Sequence, residues 1–170
     1  MLVCGGHAFS KRRSSCPSFV SRASCAGASR YGYHPKRERL QVQTVIRILF
    51  VCLGNICRSP LAEGIFRSRA TEMGLIEGPD GDFIADSAGT GNWHAGSPPD
   101  RRSIAVAARH HVDIRALRAR QVRADDFEEF DYLIAMDRDN LQALEALCPN
   151  HRRDRLHLLM SFAKGTPIRI

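Results

Sequence analysis

The sequence predicts an α/β fold, a single doubly wound domain in which helices flank a four-stranded parallel sheet. Over residues 45–170, segments with strand character alternate with segments of helical periodicity, and such alternation is typical of a parallel sheet with helical crossovers. Residues 45–51 form an almost unbroken apolar, β-branched run, as expected of a strand covered on both faces. No internal repeat or low-complexity segment in this range favours another architecture.

The first strand leads into a tight loop and then a helix. Ser59 is expected to cap this helix, with Pro60 at its first position, where the missing N–H does no harm. Apolar residues then recur at helical spacing as far as Met73, and Gly74 supplies a stop signal. Strand, loop and helix are therefore predicted in that order.

The remaining predicted elements are shorter. Asp100 is expected to cap a second helix, and Pro149 to end a third. Residues 87–99, before the second helix, are rich in turn-forming residues. The predicted spans are 82–85, 131–136 and 156–160 for the second to fourth strands, and 140–148 for the third helix.

The basic charge lies at one end of the chain. Residues 1–44 hold eight basic residues and one acidic residue, which accounts for the whole formal net charge of +7. Because residues 45–170 are neutral overall, the domain gives no reason to expect nucleic-acid binding. We expect residues 1–44 to lie outside the fold, as a disordered organelle transit peptide or as sequence translated from an upstream start codon.

The cysteines favour a reducing compartment. Three of the six lie in residues 1–44, which leaves Cys52, Cys57 and Cys148 in the domain, without the paired spacing of a disulfide framework. No apolar run reaches the roughly 20 residues that span a bilayer. We therefore expect a cytoplasmic protein with no membrane partner.

Residues 51–60 have the residue types of a phosphate-binding loop. Cys52 ends a strand and faces the N-terminus of the next helix, where unpaired amides and the helix dipole favour a thiolate. The amides of residues 53–58 can surround phosphate oxygens, and Gly54 permits close approach of the backbone. Arg58 can bind a phosphoryl group through two parallel hydrogen bonds. This spacing predicts a phosphatase site with Cys52 as nucleophile.

Two other interpretations of the loop are weaker. Cys52 could be an ordinary buried cysteine and Arg58 a surface charge, because Cys-x5-Arg alone is a short motif. A metal site would need a spacing such as Cys-x2-Cys or His-x3-His, and the sequence contains neither. We therefore expect no metal and no cofactor.

The sequence resembles the low-molecular-weight protein tyrosine phosphatase family, whose signature loop is matched by residues 51–60. The resemblance runs from Ile46 to the end of the chain, and it implies a hydrolase acting on phosphotyrosine in proteins or on a small aryl phosphate. Ile56 favours an aryl substrate, because related arginine phosphatases carry threonine there. The physiological substrate and the oligomeric state stay open. Three further segments match in order and spacing, namely residues 86–90, 98–100 and 131–137.

The resemblance also implies roles for individual residues. Cys52 would form a phosphocysteine, Arg58 would hold the equatorial oxygens and Ser59 would stabilise the thiolate. Cys57 would form a protective disulfide with Cys52 under oxidation, with simple packing as the alternative. The residues implied to contact substrate are Leu53, Gly54, Asn55, Ile56, Cys57, Ser59 and Trp93, and those implied to support the loop are Asn55, Ser87 and His110.

Two of these assignments have alternatives. Trp93 could stack on a phenol ring in the cleft or anchor the core. His110 could support the loop or be an ordinary helix-end histidine, and the adjacent His111 could be mistaken for it. The sequence alone does not choose between them.

The family's leaving-group acid, an Asp in an Asp-Pro motif after the fourth strand, has no counterpart in these 170 residues. The resemblance therefore predicts a domain truncated at its C-terminus, with no last helix, a partly open apolar sheet face and hydrolysis slowed roughly 10²–10⁴-fold. Two other functions stay open. An arsenate reductase of this fold would need further cysteines after the loop, where Cys148 stands alone. A phosphate-binding module without turnover would need no acid.

Overall fold

The computed structural model describes residues 44–163, and its core is a parallel sheet with the strand order β2-β1-β3-β4. The predicted α/β fold with four parallel strands is therefore confirmed. The strands are β1 (Ile46–Cys52), β2 (Phe83–Gly89), β3 (Tyr132–Ala135) and β4 (Leu156–Leu158). The helices are α1 (Arg58–Glu72), α2 (Arg101–Arg109), α3 (Asp126–Glu129) and α4 (Arg138–Leu147), with 3-10 helices at Asn150–Arg155 and Leu159–Phe162.

The start of α1 differs from the prediction. The helix begins at Arg58 with Cys57 at its N-cap position, and no side chain caps it. The expected cap by Ser59 is therefore wrong, because this hydroxyl lies inside the first turn and bonds to side chains of the loop. The cap predicted for α2 is confirmed, since the Asp100 side chain accepts a hydrogen bond from the amide of Arg102 at 2.8 Å.

Three strands differ in length from the prediction, and β3 is shorter by one residue at each end. β2 continues to Gly89, beyond the predicted end at Ala85, because Ser87 and Ala88 pair with β1 although neither residue type signals a strand. β4 is three residues long and passes directly into the second 3-10 helix. The longer β2 carries Ser87 alongside the end of β1, where the predicted loop begins.

The strand order places the end of β1 at the reversal point of the sheet. β1 pairs with β2 on one side and with β3 on the other. The chain therefore passes from β1 to β2 in one direction, and then back across β1 to β3 in the opposite direction. In open α/β sheets, ligands bind outside the carboxyl ends of the strands at such a point. Cys52 is the last residue of β1 and lies there.

The two faces of the sheet pack against different helices. On what we call the α3/α4 face, Leu49 and Leu133 belong to one core cluster with Phe127 and Leu144 from those helices. On the α1 face, Ile48 and other strand residues pack against α1. Next to α1 this second face leaves a cavity of about 390 Å³, here called the apolar cleft. Its lining is Ile46, Ile48, Phe50, Phe66, Tyr132, Ile134, Leu159 and Phe162.

The predicted leader lies outside the described residues except for Thr44, as do residues 164–170. Within residues 44–163, none of the helices combines the length and hydropathy needed to cross a bilayer.

Candidate active site

The loop between β1 and α1 is held on both sides by backbone hydrogen bonds. The carbonyl of Leu53 accepts from the amide of Gly91 at 2.9 Å, and the carbonyl of Ile56 accepts from the amide of Asp100 at 2.7 Å. Asn55 adopts the left-handed conformation, with φ of 52°, which bends the loop back towards the helix. The predicted loop residues are thereby brought around one small cavity.

Cys52 lies at the base of this cavity and is almost fully buried, with 3% of its surface exposed. Its Sγ lies 3.1 Å from Oγ of Ser59, in the first turn of α1. A hydroxyl and the N-terminal end of a helix both favour an anionic sulfur. Ser59 therefore contacts the sulfur that the sequence predicts it to stabilise.

Arg58 is the first residue of α1, and its half-exposed side chain forms an ion pair with Asp137. Asp137 also caps α4, because its Oδ1 accepts from the amide of Asn140 at 2.7 Å. Partial burial acts to raise the pKa of Asp137, but the hydrogen bonds from Arg58 and from the helix amides outweigh it and hold this pKa below 3.8. In this structure the Asp137 carboxylate therefore binds the Arg58 guanidinium, the group that is expected to bind phosphate.

Behind the loop lies a set of hydrogen-bonded side chains that we call the polar relay, comprising Cys52, Ser59, Asn55, Ser87 and Glu63. Asn55 Nδ2 donates to the hydroxyl of Ser59 at 2.9 Å and to that of Ser87 at 2.8 Å. The Ser87 hydroxyl donates to Oε2 of Glu63 at 2.6 Å. All five residues are buried, so the relay holds the loop from inside the protein.

The cavity above Cys52 has a volume of about 260 Å³, and its rim carries two aromatic rings. Trp93 is 62% exposed, so it lies at the rim of the cavity above Cys52 and does not anchor the core. His94 lies against the loop, because a Cβ added at Gly54 would be 3.0 Å from its Cδ2. The lining is Cys52, Leu53, Gly54, Ile56, Cys57, Arg58, Trp93 and His94.

His110 does not reach the loop, so its expected supporting role is wrong. It is an exposed residue at the C-cap of α2, and the hollow that it lines is formed with residues of α1 such as Ile65 and Ser68. The helix-end alternative accounts for its position. Ser87, the other residue predicted to support the loop, is part of the polar relay.

The other two cysteines of the domain have different surroundings. Cys57 is partly exposed and lines the same cavity as Cys52, and both are free thiols. Cys148 is buried in the core cluster of the α3/α4 face, where burial raises the pKa of its thiol. A buried, protonated thiol is unsuited to the disulfide exchange that an arsenate reductase of this fold requires. No group of three or more metal-ligating side chains occurs within residues 44–163.

Sequence reasoning missed three residues of the site: Glu63, His94 and Asp137. Glu63 carries a signal that could have revealed it, because it falls on the inward stripe of α1 between Ser59 and Phe66. A carboxylate at such a position needs a buried partner. His94 and Asp137 carry no comparable signal, since each meets the loop only through the tertiary fold.

Comparisons with known proteins agree with this geometry. The sequence model of the family described as "Low molecular weight phosphotyrosine protein phosphatase" matches residues 47–167. The low molecular weight protein-tyrosine-phosphatase YfkJ of Bacillus subtilis is 40% identical over 124 residues, covering 73% of this chain and 77% of that protein. The phosphatase of Schizosaccharomyces pombe with the family's name is 42% identical over 118 residues, covering 69% of this chain and 73% of its own.

Solved structures show the same fold. The crystal structure of YfkJ from Bacillus subtilis superposes with a TM-score of 0.68 at 38% identity, covering 74% of this chain and 76% of that one. A protein tyrosine phosphatase from Entamoeba histolytica, crystallised with Hepes in its active site, gives a TM-score of 0.65 at 34% identity, with 74% and 76% coverage. The family model spans most of the domain, and this chain therefore belongs to the low molecular weight phosphotyrosine protein phosphatase family.

Proposed function

We propose that this protein hydrolyses phosphotyrosine and other aryl phosphate monoesters through a phosphocysteine formed on Cys52. The observation that carries this proposal is the position of the Cys52 sulfur, 3.1 Å from the Ser59 hydroxyl in a cavity that Arg58 also lines. A thiolate nucleophile and a guanidinium are the two groups that attack on phosphorus requires. Membership of the phosphatase family supports the same reaction.

In the first step the Cys52 thiolate attacks phosphorus, an S–P bond forms, and the bond from phosphorus to the aryl oxygen breaks. The aryl oxide leaves with the electron pair of that bond and takes a proton. The amides of residues 53–58 and the guanidinium of Arg58 would balance the charge on the equatorial oxygens. Phosphate entry requires Arg58 to exchange its ion pair with Asp137 for the ligand.

In the second step water attacks the phosphocysteine. The new O–P bond forms as the S–P bond breaks, which releases orthophosphate and returns the electron pair to the sulfur. The Ser59 hydroxyl would then donate to the regenerated thiolate. The cycle consumes one water for each phosphate released and needs no other reactant.

The substrate class follows from the rim of the cavity. Trp93 offers an exposed ring on which a phenol can stack, and Ile56 adds an apolar contact. A phosphotyrosine protein or a small aryl phosphate fits this surface. The cytoplasm is the proposed compartment, because a cysteine nucleophile has to stay reduced.

Within residues 44–163, no carboxylic acid lines the cavity to give the leaving group its proton. No Asp-Pro dipeptide occurs in the sequence, and none of the residues that line the described cavity is a carboxylic acid. We propose that a polypeptide of these 170 residues hydrolyses phosphotyrosine roughly 10²–10⁴-fold more slowly than it would with a general acid.

The proposed reaction is tested with the polypeptide of residues 1–170, an aryl phosphate and vanadate. We expect slow, vanadate-sensitive release of phosphate that disappears in Cys52→Ser. Cys148→Ser is the matched control, because this thiol is buried away from the cavity, and it should keep its activity. Hydrolysis that persists in Cys52→Ser would refute the proposal, as would tight phosphopeptide binding without any product, the behaviour of a binding module.

The missing proton donor is tested by changing the leaving group. Without a general acid, the rate should fall steeply from p-nitrophenyl phosphate, whose phenol is acidic, to phosphotyrosine, whose phenol has a pKa of about 10. Nearly equal kcat values for the two substrates would show that some residue does supply the proton.

A further inference from the structure

Glu63 is a buried carboxylate that the reaction above does not use. It is 1% exposed, and each of its two oxygens has a partner. Oε2 accepts from the Ser87 hydroxyl at 2.6 Å, and Oε1 pairs with the guanidinium of Arg67 at 2.8 Å. Burial raises its pKa above the ordinary value of 4.5, while Ser87 and Arg67 oppose that shift. An acid at a buried helix position is costly and calls for a reason.

The orientation of the Asn55 amide is fixed from outside the relay. Its Oδ1 accepts a hydrogen bond from the backbone amide of Arg120 at 2.8 Å. A backbone N–H can only donate, so the oxygen must face Arg120 and the Nδ2 group must face the two serines. Both hydrogens of Nδ2 are used, one on Ser59 and one on Ser87.

The direction of the two hydroxyl hydrogens follows. Each serine oxygen already accepts from Asn55, so the hydrogen of Ser87 goes to Glu63, the acceptor at 2.6 Å. The hydrogen of Ser59 goes to the Cys52 sulfur at 3.1 Å, in preference to the carbonyl of Ala88 at 3.4 Å. The relay then runs from a buried acceptor at one end to a sulfur at the other.

We propose that Glu63 is a positioning residue for the nucleophile: by accepting from Ser87 it holds Asn55 and Ser59 in the arrangement that directs a hydroxyl hydrogen at the Cys52 sulfur. The inference rests on the proposed role of Cys52 as nucleophile, but it concerns the reactivity of the sulfur and can be tested without turnover. It explains why this position of α1 carries an acid among buried neighbours.

The test replaces the carboxylate by an amide of equal size. Both Ser87 and Arg67 donate to Glu63, and a carboxylate accepts from two donors, whereas the amide of Glu63→Gln accepts at one end only. With its oxygen on Arg67, the NH₂ group faces Ser87 and reverses the required direction. We expect alkylation of Cys52 by iodoacetamide at neutral pH, followed by mass spectrometry of the Cys52 peptide, to slow about 10-fold. The midpoint of its pH profile should move upward.

A second substitution should restore the relay. In the double variant Glu63→Gln with Arg67→Met, no guanidinium competes for the amide oxygen, which can turn towards Ser87. We expect most of the lost reactivity of Cys52 to return, although the fold loses the contacts of Arg67 with Glu77 and Ala85. The matched control is Arg69→Met, which removes an exposed arginine of α1 that pairs with Glu72 and should not rescue the Gln variant.

Reactivity that is unchanged in Glu63→Gln, or that Arg69→Met restores equally, would overturn the proposal. If Glu63→Gln does not fold, judged by its circular dichroism, Ser87→Ala breaks the same relay one link later and should slow alkylation similarly. In turnover assays the substitution should lower kcat with little change in KM. A wild-type chain that alkylates rapidly but hydrolyses no aryl phosphate would refute the proposed function while leaving the relay testable.

Discussion

The two faces of the sheet are built from neighbouring residues of the same strands but pack in different ways. On the α3/α4 face, Leu49, Leu133 and Leu144 expose none of their surface and join one apolar core. On the α1 face, the apolar cleft leaves Ile46 48% exposed, and a buried position of α1 holds the carboxylate of Glu63.

The two faces therefore contribute differently, the α3/α4 face mainly to stability and the α1 face to the candidate active site. The α3/α4 face has the dense apolar contact that stabilises a fold. The α1 face holds the proposed nucleophile, because Cys52, Phe50 and Ile48 alternate along β1 on the same side. Ser87 follows Phe83 and Ala85 in the same way along β2. The buried polar groups of the relay lie on this face beside the Cys52 sulfur, and the apolar cleft lies on the same face.

The largest expected effect is on the free energy of unfolding. It compares truncations of two adjacent residues of β3, one on each face of the sheet. Leu133→Ala, on the α3/α4 face, should lower the free energy of unfolding by about 3–5 kcal/mol, because it leaves a cavity in a closed core. Ile134 borders the apolar cleft, so Ile134→Ala creates little new cavity. It should lower the free energy of unfolding by about 2 kcal/mol. Urea denaturation measures both. Equal losses would show that the α1 face is packed as tightly as the other.

The second prediction tests whether the apolar cleft, an exposed apolar surface, drives self-association at high protein concentration. Ile46→Lys places a charge at its half-exposed edge, and a second molecule could bury that charge only at a cost, so association should weaken at least about tenfold. Leu147→Lys is the matched control, since Leu147 is 56% exposed on α4 and lies outside the cleft. Sedimentation velocity over a concentration series measures the association of each variant. An equal weakening in the two variants would contradict the prediction.

The third prediction uses the buried acid of the α1 face. The pKa of Glu63 is raised in the folded state, so the native protein binds a proton more readily than the unfolded chain between about 4.5 and that higher value. Its contribution to the free energy of unfolding should therefore fall as pH rises through this window, by at most about 1.4 kcal/mol per pH unit. In Glu63→Gln this slope should vanish.

Other charges around Glu63 change the width of this pH window, but they do not change the direction in which the free energy of unfolding responds to pH. Arg67 lowers the pKa of Glu63, whereas Asp86 and Glu77 raise it. Chemical denaturation at several pH values, with Glu72→Gln as the exposed control on α1, isolates the buried group. A wild-type chain that gains stability relative to Glu63→Gln as pH rises would contradict the prediction.

The smallest expected effect lies where the two faces meet, at the carboxyl edge of the sheet. Arg58 from α1 pairs there with Asp137 at the start of α4. Asp137→Asn removes the charge that competes with phosphate, while an Asn at an N-cap still accepts from the helix amides. The inhibition constant of orthophosphate should fall by up to about fivefold, the range of a partly exposed ion pair. A weaker orthophosphate affinity would mean that Asp137 orients Arg58 for the ligand.

The sequence by itself determined the architecture and predicted the reacting groups. An almost unbroken apolar run identified β1, Asp100 marked the start of α2, and Cys-x5-Arg between strand and helix indicated the proposed nucleophile. These signals are local, because strand formation, helix caps and loop spacing all depend on residues close in the chain. The same local signals gave the wrong role to Ser59 as a cap, since a cap residue and a loop ligand look alike in sequence.

The tertiary structure alone decided which side chains meet across the chain. Glu63 reaches Ser87, 24 residues away, and Arg58 reaches Asp137, 79 residues away. Both pairings arise from the strand order, which sets β2 and β3 on either side of β1. Helical and strand periodicity report only which face a residue occupies. Sheet order and helix packing then determine its partner, and for that reason the contacts of Glu63 with Ser87 and of Arg58 with Asp137 could not be predicted from the sequence.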